Sequence, residues 1–178
     1  GYRQCLVYVA DSRVWDEFPN NPSQWVDSDG DGFGDNSSGL WGDAFPLDRY
    51  EWEDADGDGF GDNYQDDCGD EWGNSTRGIA GCPDSDGDGY ADVCGDFCNY
   101  MPGREEMIDA CPFEFGLSRD DRIGCPDFDQ DGWSDLNDDF PDDERYWIDT
   151  DGDGVDDSID AFPNDVRRAS SSDMIEPG

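Results

Sequence analysis

The pattern Asp-x-Asp-x-Asp-Gly-Φ-x-Asp, with Φ aromatic or aliphatic, occurs five times in this chain and dictates its layout. The copies begin at Asp27 (DSDGDGFGD), Asp54 (DADGDGFGD), Asp84 (DSDGDGYAD), Asp127 (DFDQDGWSD) and Asp149 (DTDGDGVDD). Carboxylates at positions 1, 3, 5 and 9, with glycine at position 6, form a Ca²⁺-binding loop of the EF-hand type. Such a hard cation takes roughly six to eight oxygens, and alternate short acidic side chains turn theirs toward one centre. The side-chain ligands expected are therefore Asp27, Asp29, Asp31 and Asp35; Asp54, Asp56, Asp58 and Asp62; Asp84, Asp86, Asp88 and Asp92; Asp127, Asp129, Asp131 and Asp135; and Asp149, Asp151, Asp153 and Asp157. Position 6 bends sharply at positive φ, which favours glycine. The carbonyl of position 7 then points inward, adding Phe33, Phe60, Tyr90, Trp133 and Val155 through their main chain and leaving their side chains free to pack.

Composition supports chelation over a merely acidic surface. The chain has 178 residues, is 34% hydrophobic and carries a formal charge of −38, so without counterions it would expand rather than collapse on an apolar core. A halophile-like surface is the competing explanation, since all ten basic residues are Arg. Yet 39 of the 48 acids are Asp, and 20 of those 39 occupy loop positions 1, 3, 5 and 9, a register that solvation alone does not need. Five Ca²⁺ would offset ten of the charges. An acidic chain without a basic patch suits neither nucleic acid nor an anionic membrane surface. No apolar run approaches the ~20 residues of a membrane span. Seven Cys suit an oxidising compartment, and weak Ca²⁺ loops suit millimolar Ca²⁺ outside cells, so the chain reads as an excised or processed piece of an extracellular or cell-surface protein. Asn36 and Asn74 open possible N-glycosylation sequons.

Three segments follow. Residues 1–15 hold the one ordinary strand pattern, Cys5-Leu6-Val7-Tyr8-Val9, read as a short N-terminal β-strand that pairs locally or adds to a neighbouring molecule's edge. Residues 16–165 form the tandem repeat array, with residues 99–124 its longest insertion; residues 166–178 are a tail. Gly, Pro, Asp and Asn recur too often for long helices or strands, so the fold class is irregular, an elongated array of loops. A second motif, Asp-x-Phe-Pro, alternates with the loops at Asp16, Asp43, Asp138 and Asp160. In the first three cases a Trp stands seven residues after the Phe and two before the next loop: Phe18 and Trp25, Phe45 and Trp52, Phe140 and Trp147. Each pair is expected to pack as an aromatic clasp.

Cys replaces those aromatics in two connectors. Cys68 and Cys111 take the Phe slot, and Cys82 and Cys125 the Trp slot, which predicts disulfides Cys68–Cys82 and Cys111–Cys125. Each is worth roughly 3 kcal/mol in the chain-entropy model. Slot equivalence carries this, since six Cys allow 15 pairings. Cys94 and Cys98 are left to pair, and Cys5 is the odd one. Zinc would need four clustered Cys in the absence of His, and a thiol nucleophile would lack a base.

An EF-type site also wants an acid near position 12. Asp138 and Asp160 stand there for the last two loops. Ser38 and Gln65 occupy position 12 of the first two, so Asp43, Asp66 or Asp67 must substitute, and at the third loop Asp96 is one residue late. Tighter binding is expected at the loops starting at Asp127 and Asp149 than at Asp27.

With DSDGDGYADVC and entries reading CPD, the chain from about residue 16 to 165 resembles thrombospondin type 3 repeats of the kind found in prokaryotic surface proteins. That resemblance implies a chain wrapped around rows of Ca²⁺ with disulfides tying repeats together, and ligand roles for the loop aspartates and for Asp96, Asp138 and Asp160. Phe and Trp replace many of the Cys of animal members, which departs from that disulfide pattern. Dockerins share loops about 22 residues apart, but the helices they need are absent. The function expected is structural, a subunit of a self-assembling surface filament or a rigid stalk hardened by at least five Ca²⁺. An orphan strand, an unfinished last repeat and an odd Cys favour assembly. The alternative is a Ca²⁺-dependent adhesion module that grips glycan or protein through exposed aromatics or residues 99–124. No acid–base or nucleophile constellation remains to suggest an enzyme.

Overall fold

The computed structural model describes residues 15–95 and 103–169. The expected strand at Cys5–Val9 lies outside them, as do Cys98, Asp96 and most of the tail. Regular secondary structure among the described residues is limited to a hairpin and one 3-10 turn. In the hairpin, β1 (Thr76–Arg77) runs antiparallel to β2 (Ile79–Ala80), pairing Thr76 with Ala80 and Arg77 with Ile79 across Gly78, whose φ is 76°. The 3-10 helix covers Arg104–Met107. The loops deny the backbone longer elements, because their aspartates take the amides that a ladder would use.

Two main-chain hydrogen bonds recur at every loop and give the array its regularity. The amide of position 9 donates to the carbonyl of the residue just before the loop: Asp35 to Val26, Asp62 to Glu53, Asp92 to Pro83, Asp135 to Pro126 and Asp157 to Ile148, all at 2.8–3.0 Å. The amide of a later Asp donates to the carbonyl of position 8: Asp43 to Gly34, Asp66 to Gly61, Asp109 to Ala91, Asp138 to Ser134 and Asp160 to Asp156, again at 2.8–3.0 Å. The first bond closes the loop. The second anchors the next connector to it.

The connectors carry the rest. Disulfides join Cys68 to Cys82 and Cys111 to Cys125, as slot equivalence predicts. Cys94 is also disulfide-bonded. Around the first bridge lies a small apolar core of Cys68, Ile79, Cys82 and Ala91, flanked by Cys94 and Ile108. The two bridged connectors repeat the same scaffold. The Cys82 amide donates to Ser75 Oγ and the Cys125 amide to Ser118 Oγ, and both serines are fully buried.

The aromatic clasps differ from expectation. Trp52 stacks not on Phe45 but on Phe33, position 7 of the preceding loop, at 5.0 Å and 4°. Trp147 stacks on Trp133, also position 7, at 6.4 Å and 12°, while Phe140 meets Tyr146 edge-on. Backbone bonds close these connectors instead, from Glu17 to Trp25, Ala44 to Trp52 and Asp139 to Trp147. With closure supplied by the main chain, the Trp ring lies on the ring that position 7 turns out of the neighbouring loop.

Candidate metal centres

Each loop is a chain of short turns made by aspartate side chains on amides a few residues ahead, the local bonding these residues favour. Position 1 caps the loop through both oxygens. Asp27 accepts from Gly30 (2.6 Å) and Gly32 (3.0 Å), and Asp54, Asp84, Asp127 and Asp149 repeat this. Position 3 accepts the amide of position 5 through Oδ1, and position 5 accepts that of position 7, in all five loops. Positions 4 and 6 are left-handed throughout. Position 4 is glycine in four loops and Gln130, at φ 67°, in the other.

This turning leaves the second oxygens of positions 3 and 5 facing inward. Oδ2 of Asp29, Asp31, Asp56, Asp86, Asp129, Asp131, Asp151 and Asp153 is buried with no hydrogen-bond partner. At the other two position-5 residues the next connector supplies a donor, Gly73 N–H to Asp58 Oδ2 and Gly116 N–H to Asp88 Oδ2, each at 3.1 Å. Ligand atoms of positions 1, 3 and 5 lie within 4.8 Å of one another in all five loops. Buried, unpaired and mutually repelling oxygens are costly unless a cation compensates them. Burial and then neighbouring carboxylates raise the pKa of Asp29 and Asp86 above the usual value, and burial chiefly raises Asp56, Asp131 and Asp151.

Position 9 is engaged within its own loop. Its carboxylate accepts the amide of position 2, as in Asp62 from Ala55 and Asp135 from Phe128. Where position 2 carries a hydroxyl, both oxygens are engaged: Asp35 with Ser28, Asp92 with Ser85 and Asp157 with Thr150. Position 9 thus braces the loop, and at Asp62 the other oxygen, Oδ1, is buried with no hydrogen-bond partner, as at positions 3 and 5. The backbone bonds leave the carbonyls of Phe33, Phe60, Tyr90, Trp133 and Val155 without an amide partner, consistent with position 7 as a donor of oxygen.

A further carboxylate faces each triad. Asp43, Asp66, Asp109, Asp138 and Asp160 each accept, through Oδ1, the amide two residues on. Oδ2 of Asp66, Asp109 and Asp160 is buried and unpartnered. The carboxylates that bear most on Asp43 are Asp31, Asp29 and Asp35, and those on Asp138 include Asp131 and Asp129. Burial, assisted by the loop acids, pushes Asp66 and Asp109 up to about 6. Asp67 Oδ2 accepts the Ala80 amide. Asp43 and Asp66 make the same turn in the first two loops that Asp138 and Asp160 make in the last two.

Two features escaped sequence reasoning. Asp109 comes long after its loop, although its Asp-x-Cys context matches Asp66. Gln24 and Glu51, both three residues before a loop, are buried braces: Gln24 Oε1 and Glu51 Oε2 accept the amides of Asn36 and Asn63.

An all-oxygen donor set without His, the described cysteines being engaged in disulfides, fits a hard cation rather than zinc or copper. The five triads could hold a metal ion. Compared with protein-family models the chain matches none, and no curated protein aligns with it significantly.

Proposed function

We propose that the protein is a calcium-hardened extracellular structural element of the thrombospondin type 3 kind, working as a rigid stalk or as a self-assembling filament subunit. One observation carries this reading. Buried carboxylate oxygens without a hydrogen-bond partner recur in all five loops, each closed by the same two backbone bonds, in a chain whose described residues form an apolar core of only a handful of side chains. Calcium suits the site because it accepts six to eight oxygens in flexible geometry, whereas Mg²⁺ demands a near-ideal octahedron. Ions bound in each loop then do what oily burial does in ordinary domains. Disulfides, and the absence among the described residues of a helix long and apolar enough to cross a membrane, are compatible with an extracellular location. Calorimetric titration should give at least five Ca²⁺ per chain, and electron microscopy in Ca²⁺ should show stiff rods or regular polymers. Failure to bind Ca²⁺ sinks the reading.

Exposed aromatics favour an adhesive module as the second reading: Trp41, Trp72 and Phe113 are 66%, 58% and 82% exposed. Monodisperse monomers that bind a glycan or protein only in Ca²⁺ would support it over assembly.

A further inference from the structure

We infer that Asp109, from within the chain's longest insertion, completes the third metal centre, so that one cation there staples the first three loops to the last two. The inference rests on the calcium reading above. The chain leaves this loop after Asp92 and returns to it at Asp109, whose amide donates to Ala91 O at 2.9 Å. Asp109 is 5% exposed, and its Oδ2 is buried with no partner. The charges that bear on it are Asp88, Asp86 and Asp92, three acids of the loop that opens at Asp84. Its other oxygen is held by the Cys111 amide at 2.7 Å, so the side chain cannot swing out to water without breaking that turn.

The returning segment makes a second contact with the same centre. Gly116 N–H donates to the buried Asp88 Oδ2 at 3.1 Å. No Cβ fits at Gly116, where it would stand 1.9 Å from the Cys125 carbonyl carbon. The third centre therefore has two banks. Asp84, Asp86 and Asp88 come from one, and Asp109, with the Gly116 amide behind it, from the other. A divalent ion between them neutralises carboxylates that otherwise repel, and so holds the banks together. Without the ion the same charges push the returning connector away.

The test uses the full chain and calcium itself. Asp109→Asn keeps the Oδ1 acceptor for Cys111 and removes only the inward charge. It should weaken one of the calcium equivalents about tenfold. In saturating Ca²⁺, chymotrypsin should cut it at least about tenfold faster than wild type at the exposed Phe113 and Phe115, with the other loops still protected. Asp86→Asn, on the opposite bank, should expose the same two sites. Intact Cys111–Cys125 by peptide mapping establishes that the variants fold. Unchanged titration and cleavage in Asp109→Asn overturns the inference. So does an Asp96→Asn variant that loses the equivalent while Asp109→Asn keeps it, or an Asp86→Asn variant whose far connector stays protected. A wild-type chain that binds no calcium fails at the earlier step, and is distinguished by its empty titration.

Discussion

Single residues show how tightly the loops are drawn. Position 8 is glycine in the first two loops because a brace lies against it: a Cβ on Gly34 would stand 2.1 Å from Gln24 Oε1, and one on Gly61 2.1 Å from Glu51 Oε2. Gly61→Ala must displace a fully buried Glu whose Oε2 holds the Asn63 amide. It should cost about 1–3 kcal/mol of stability in Ca²⁺, read as a lowered melting temperature. Later loops carry Ala91, Ser134 and Asp156 at this position, and Asp156 itself reaches back to the Trp147 and Ile148 amides. Titration is also a residue-scale matter. Burial raises Asp66 and Asp109 to about 6 in the metal-free fold, above the ordinary carboxylate range, so the fold holds these protons more tightly than the open chain does. The penalty of burying the charged form is complete above pH 6 and is relieved as the pH falls through that value toward 4. Metal-free protein should therefore be more compact at pH 5 than at pH 7.5. On the calcium reading the ion would have to displace the same protons, so its affinity should fall over the same interval. Equal affinities at pH 5 and pH 7.5 would contradict the assignment.

At the scale of elements, the loop and its connector form one unit. The position-8 carbonyl binds the amide of the residue whose carboxylate faces the triad, so an ion held there would be coupled to the connector's geometry. Two kinds of connector meet this demand. The shorter ones close by a main-chain bond to a Trp, and the longer ones by a disulfide over the buried serine. The disulfide substitutes for restraint that a longer segment lacks. Replacing Cys68 and Cys82 together by Ser should cost roughly 3 kcal/mol by loss of loop closure. It also opens the apolar cluster around Ile79. The loss should appear as earlier calcium-dependent unfolding of the neighbouring loops, while the loop at Asp149 keeps its affinity. A uniform loss across all five loops would argue against local units.

For the whole molecule, the balance lies between charge and chelation. A chain of −38 whose described residues form so small a core needs more than apolar burial to oppose its own repulsion, and cations held in the five triads would supply it. Removing divalent ions with a chelator should enlarge the radius of gyration in small-angle scattering toward that of an unfolded chain with its crosslinks intact. A particle of unchanged size would show that cations do not hold it. Spacing alone made the five triads legible, because turns at Asp, Gly and Asp are local events within nine residues. Both disulfides were legible too, since the Cys replace aromatics in a repeating frame. The ring partners of Trp52 and Trp147, and the role of Asp109, were not legible. A stack depends on which loop lies beside which connector. A carboxylate that returns after a long excursion is placed by the Ala91 and Gly116 contacts rather than by its distance along the chain. Sequence by itself determined where cations can be held, through short-range sterics and side-chain bonding; tertiary structure alone decided which distant groups close around them, because that choice is made by packing across the repeats.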